Sequence, residues 1–130
     1  MTNRKEWQIG SSSCILGNYE GQNQDGFELY KRAGIKYAEL YETHEKLEFH
    51  DFYEHPEKIA DDAKNNGVEL WSYHVPFSDF LNVANLDPIK GPEGMALIEK
   101  GIRAALKIGI KTIVIHPSSE NVDDNTRQQK

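Results

Sequence analysis

One cysteine, Cys14, stands in the whole chain of 130 residues, so no intramolecular disulfide can hold it and the fold must rest on its core. That usage suits a reducing compartment. No apolar run approaches the roughly 18 residues of a membrane span, and the polar start Met1–Trp7 lacks the apolar stretch of a secretory signal. The expectation is therefore a cytoplasmic protein with no membrane partner. Both glycine-rich phosphate loops are missing, the G-x-x-x-x-G-K-[ST] type and the G-x-G-x-x-G type. Basic residues are outnumbered 15 to 21, for a net charge of −6, and no Lys/Arg cluster offsets it. A protein held to nucleic acid mainly by charge is thus disfavoured. Cys14 has no evident base partner, which argues against a thiol nucleophile and for a core-filling role.

What is present is ordinary for a soluble globular domain. Hydrophobic residues make up 38% of the chain and charged residues 28%. Such a length fits a single domain, residues 1–130, large enough to bury a core.

The informative pattern is a repeat. Three times a helical segment runs into glycine and a β-branched residue follows at once: Ala33-Gly34-Ile35, Asn66-Gly67-Val68 and Ile108-Gly109-Ile110. Glycine readily takes the left-handed conformation that closes a helix, so each site predicts a short helix-to-strand connection. The glycines are 33 and 42 residues apart, near the spacing of strand–helix units in parallel β/α folds. Strands are expected at Trp7–Ser13, Ile35–Tyr41, Val68–His74 and Lys111–His116. Helices are expected near Asn23–Ala33, with Phe27, Tyr30 and Ala33 on one face; from His55-Pro56, with Ile59, Ala60 and Ala63; and over Pro92–Ile108, with a stripe of Met95, Ile98, Ile102, Ala105 and Leu106. The order β-α-β-α-β-α-β makes a parallel sheet. Beyond the fourth strand, Asp123 or Asp124 reads as a helix N-cap, yet the sequence stops at Lys130, within about two turns of it, so the chain reads as a partial domain.

Ligands in parallel β/α folds bind outside the carboxyl ends of the strands. His74 and His116 each end a predicted strand and each enter a proline-containing loop. Imidazole is suited both to proton transfer near neutral pH and to binding a divalent cation. Glu39 lies inside an apolar strand, where an unpaired carboxylate is costly, so it either serves the site or sits in a salt bridge or faces outward. His44, His50 and His55 fall in the charged stretch Glu42–Glu57, which reads as a solvated loop and helix start. Ser11, Ser12 and Ser13 fit either a ligand contact or a polar turn. Tyr73, Phe77 and Phe80 fit either a sugar-sized apolar wall or packing beneath a loop.

The succession Gly34–Leu40, Gly67–Phe77 and Gly109–Pro117 resembles the xylose isomerase-like TIM-barrel superfamily, which includes sugar phosphate isomerases and epimerases and the type IV apurinic endonucleases. The resemblance implies an α/β (β/α)8 barrel, present here as about four N-terminal units. It implies that His74 and His116 match strand-end histidines which bind metal in the endonuclease branch and border the sugar in the isomerase branch, and that Glu39 matches an acidic residue of the second strand. It also implies a divalent metal cation in the full-length parent, whose main ligands and proton-shuttling carboxylates come from the fifth strand onward. The catalytic residues are accordingly expected beyond Lys130, and no complete metal site is expected before it. The resemblance therefore points to metal-assisted isomerisation or epimerisation of a small sugar or sugar phosphate, with this stretch inactive alone. Two other readings stay open. One is a metal-dependent hydrolase or phosphodiesterase of the same superfamily. The other is a non-enzymatic half-barrel that binds a ligand or pairs with a second copy as a homodimer.

Overall fold

The computed structural model describes residues 8–14, 26–41 and 52–117. Trp7, the helix start at Asn23, His44, His50, Asp123, Asp124 and the last residue, Lys130, lie outside the described residues. Strand and helix alternate: β1 Gly10–Ser12, α1 Glu28–Ala33, β2 Tyr37–Tyr41, α2 Pro56–Asn65, β3 Glu69–His74, α3 Lys90–Lys107 and β4 Thr112–Val114. All neighbouring strands are parallel and stand in the order β1-β2-β3-β4. No helix among the described residues is long and apolar enough to cross a membrane.

The helix-closing glycines behave as their positions require. Gly34, Gly67 and Gly109 have φ of 72°, 71° and 88°. After each, the next amide reaches back to a carbonyl of the last helical turn: Ile35 to Tyr30 at 2.9 Å, Val68 to Ala63 at 2.8 Å, Ile110 to Ala105 at 3.1 Å. These bonds satisfy helix carbonyls and aim the chain into the following strand. Pro56 occupies the start of α2, where its missing N–H costs nothing. Ahead of α3, the Asp87 carboxylate accepts the amides of Ile89 at 2.9 Å and Lys90 at 2.8 Å. The Lys90 and Ile89 amides hold its carboxyl below the usual carboxylate range.

Alternation along the strands sorts the side chains onto two faces. The helix face carries the core. Phe27, Tyr30, Ala38, Ala63 and Val68 form one cluster, and a larger one gathers Leu40, Phe52, Tyr53, Tyr73, Val75, Leu81, Ile98, Ala104, Ala105 and Ile110. The strand registers place Gly10, Ser12, Tyr37, Glu39, Tyr41, Ser72, His74, Thr112 and Val114 on the opposite face.

Several expectations need correction. The α3 stripe is displaced: Ile98 and Ala105 are buried, but Met95 and Leu106 are exposed, and Gly91, Gly94, Gly101 and Ala104 take the covered positions. The reason is close approach, because a Cβ on Gly91 would sit 2.6 Å from the Asn85 carbonyl oxygen and one on Gly101 2.5 Å from Tyr73 Oη. Ala33, in the last turn of α1, is exposed rather than on the buried face. Strand β4 stops at Val114, opposite His74, because β3 ends there and offers no further ladder; His116 lies two residues beyond it. Cys14 follows the end of β1, half-buried and outside both core clusters, so it is no core filler.

Gly94 turns this packing into a measurable expectation. Helix propensity alone favours Gly→Ala by ~1 kcal/mol. A methyl at Gly94, however, would lie inside contact distance of the Phe80 backbone carbonyl oxygen. A backbone carbonyl cannot rotate aside, and overpacking costs roughly 1–3 kcal/mol. Gly94→Ala is therefore expected to lower the urea midpoint, against the propensity trend.

Candidate functional site

Strand β3 carries a register shift opposite Ala38 and Glu39: Leu70 pairs with Ala38, Ser72 with Glu39, and Trp71 is the extra residue. A bulge of this kind re-aims the side chains that follow it. Downstream of it, Ser72 and His74 share the face of Glu39 and Tyr41, while Tyr73 turns into the core.

The three expected site residues meet around His74, at the carboxyl end of β3. Glu39 Oε1 lies 3.2 Å from His74 Nδ1, and Ser72 Oγ donates to Glu39 Oε2 at 3.2 Å. His74 Nε2 lies 2.9 Å from His116 Nε2. The two imidazole planes differ by 5° and their centroids are 5.1 Å apart. A nitrogen–nitrogen contact this short with nearly parallel planes means rings set edge to edge, as an N–H···N bond requires, not face to face. Phe77 stacks over His116 at 4.0 Å between centroids, and Tyr41 meets His74 edge-on at 5.1 Å. Burial first, and Cys14 nearby second, push the Tyr41 phenol above its ordinary value, so it stays protonated.

A cavity of about 450 Å³ opens beside this array on the same face. Gly10, Ser12, Tyr37, Glu39, Trp71 and Ser72 are among its lining residues. Glu39 and Ser72 join the cavity to the histidine pair, and Trp71, 62% exposed, presents a broad aromatic surface to it.

The open alternatives resolve residue by residue. Glu39 is neither outward-facing nor in a lysine or arginine bridge, but holds His74. Ser13 does not make a local turn bond: its hydroxyl ties the end of β1 to the end of β2, bonded to both the carbonyl and the amide of Tyr41 at 3.0 and 2.8 Å. Ser12 lines the cavity. Of the aromatics, Tyr73 is core, Phe80 packs against that core, and Phe77 belongs to the site. His55 stands at the N-cap position of α2 without a side-chain capping bond, and its ring pairs with Glu57 at 3.3 Å. No motif marks Ser72 or Trp71 in the sequence; the one signal is that Ser72 stands two residues before His74, the spacing that shares a strand face.

A divalent cation would need donors aimed at one point. Among the described residues no three His, Cys, Asp or Glu side chains form such a set. The Nε2 atoms of His74 and His116 are bonded to each other, and Glu39 occupies the opposite nitrogen of His74. These residues do not by themselves make a metal centre.

Sequential parallel strands, helices on one face and polar side chains gathered at the strand ends define a β/α barrel, here a partial one. The chain belongs to the xylose isomerase-like TIM-barrel family, whose model matches residues 27–130. Among solved structures it is similar to a D-psicose 3-epimerase crystallised in the presence of D-fructose, with 20% identity and a TM-score of 0.59. The match covers 89% of this chain and 42% of that one, so the chain spans less than half the length of that relative. Identity at this level speaks for the fold. A search of curated proteins finds no match.

Proposed function

We propose that this chain contributes the substrate-orienting side of a sugar isomerase or epimerase barrel. The observation that carries the reading is the Glu39–His74–His116 array, which joins the middle of β2 to the carboxyl end of β3 and to the segment that follows β4. In a β/α barrel that end holds the ligand. The array sits beside a cavity lined by the Ser12 hydroxyl, the Glu39 carboxylate and an aromatic wall from Trp71, a mixture suited to a polyol.

The described residues act here by binding and orientation. The free imidazole nitrogen of His116 and the Ser12 hydroxyl bond to sugar oxygens, and Phe77 holds the His116 ring in place. Isomerisation or epimerisation also needs a base for the proton beside the carbonyl. No described residue is assigned that task, and in this reading the base belongs to the part of the barrel beyond Lys130. A sugar phosphate is an equally suitable substrate for the whole barrel, its phosphate lying beyond these four strands. The resident cation implied by the resemblance would likewise be held by ligands beyond them. The acidic balance of the chain works against a DNA substrate.

Amide NMR of the isotope-labelled chain titrated with D-fructose, D-psicose and a duplex bearing an abasic site tests this. The expected result is sugar-dependent shifts confined to Glu39, Trp71, Ser72, His74, Phe77 and His116. Shifts produced by the duplex and not by either sugar would overturn the reading in favour of the endonuclease branch. Epimerase turnover by the chain alone, with divalent cation added, would overturn the assignment of proton transfer to residues beyond Lys130.

A further inference from the structure

The hydrogen bonds of the histidine pair have a direction. An imidazole nitrogen either carries a proton and donates or carries a lone pair and accepts, and a neutral ring has one of each. Glu39, as a carboxylate, only accepts. Its Oε1 faces His74 Nδ1 at 3.2 Å, so that nitrogen holds the proton. His74 Nε2 is then a lone pair. The contact of 2.9 Å between the two Nε2 atoms needs a donor, and His116 must supply it. The proton of His116 sits on Nε2, and its Nδ1 is left as an acceptor. The second oxygen of Glu39 accepts the Ser72 hydroxyl, and Ser72 is only 2% exposed, which steadies the carboxylate at the head of the chain.

We propose that Glu39 is a positioning residue that acts through His74, fixing the tautomers of both histidines so that the neutral pair offers a ligand one hydrogen-bond acceptor, His116 Nδ1, and no donor. Both imidazole N–H groups are already used inside the chain of bonds. A lone acceptor suits a ligand group that donates, such as a sugar hydroxyl. It disfavours a phosphate or carboxylate oxygen, which needs donors. Basic side chains do not offset this, since none of the described residues that the registers place on the open face is a lysine or arginine. The strand ends built here therefore receive the hydroxyl-bearing part of a substrate, and any phosphate is bound elsewhere. The choice of ligand rests on the function proposed above; the tautomers do not.

Long-range proton–nitrogen correlation spectra of the histidine-labelled chain at pH 8.5, above the ordinary imidazole range, read the tautomers directly. The expected result is His74 protonated on Nδ1 and His116 on Nε2. Glu39→Gln, whose amide oxygen still accepts, keeps both assignments. Glu39→Ala loses the Nδ1 preference of His74 and moves the His116 signals. A wild-type His74 protonated on Nε2, a ring carrying two protons at that pH, or tautomers unmoved by Glu39→Ala would each overturn the proposal. The wild-type reading needs no variant to fold. Added D-fructose is expected to shift His116 Nδ1, and inorganic phosphate is not. A phosphate response at His116 overturns the acceptor-only assignment. Expected tautomers with no sugar response leave this proposal standing and count against the proposed function.

Discussion

Tyr73→Ala is expected to remove most of the stability of the chain. Tyr73 is fully buried at the centre of the larger core cluster. Its ring lies 5.3 Å from that of Phe52, and its hydroxyl end rests against Gly101 of α3, where there is no room for a Cβ. It thus joins the middle of the sheet to the longest helix. Truncation loses the transfer free energy of the ring and leaves a void between backbone elements that cannot close readily. For a large aromatic residue the sum is about 3–5 kcal/mol. Whole domains have only about 5–15 kcal/mol in all. Urea unfolding followed by far-UV circular dichroism should show the midpoint collapse. A shift no larger than that of an exposed residue such as Leu106→Ala would mean that Tyr73 does not link sheet and helix.

His74→Ala is expected to have the largest effect on ligand binding. His74 is the middle of the array, bonded to Glu39 on one nitrogen and to His116 on the other. Its loss frees the His116 ring to rotate away from the pair and leaves the Glu39 carboxylate with Ser72 as its hydrogen-bond partner among the described residues. One well-placed hydrogen bond contributes about 1.4 kcal/mol, which is tenfold in affinity. Calorimetric or NMR titration with D-fructose should therefore show at least about tenfold weaker binding. His74→Asn separates two causes. Its amide can still donate to Glu39 but cannot reach His116, so the carboxylate keeps its partner while affinity stays low. Wild-type affinity in either variant would place the sugar away from this array.

The parts of the fold that were legible in sequence are the locally determined ones. A helix closed by glycine depends on the left-handed conformation of one residue, and Gly34, Gly67 and Gly109 all adopt it. The positions of β2 and β3 followed from the same logic, because each strand begins within three residues of its glycine. Helix α3 was read less well for an equally physical reason. A search for bulky apolar residues finds Met95 and Leu106, yet the contact is so close that only small residues fit, and glycine carries no hydrophobic signal.

For the site, residue type was legible and company was not. Sequence alone pointed to a carboxylate within the second strand and an imidazole at the end of each of the next two strand segments, since strand order and the offset from each glycine place them there. It could not determine that they touch. That depends on the bulge at Trp71, which sets Ser72 and His74 opposite Glu39 and Tyr41 and presents Trp71 to the cavity. One residue more or less in β3 exchanges the two faces of a strand, and an insertion of this kind leaves no mark in the pattern of apolar residues. The tertiary structure decided the rest, because inter-strand register is a contact between distant parts of the chain and no local preference encodes it.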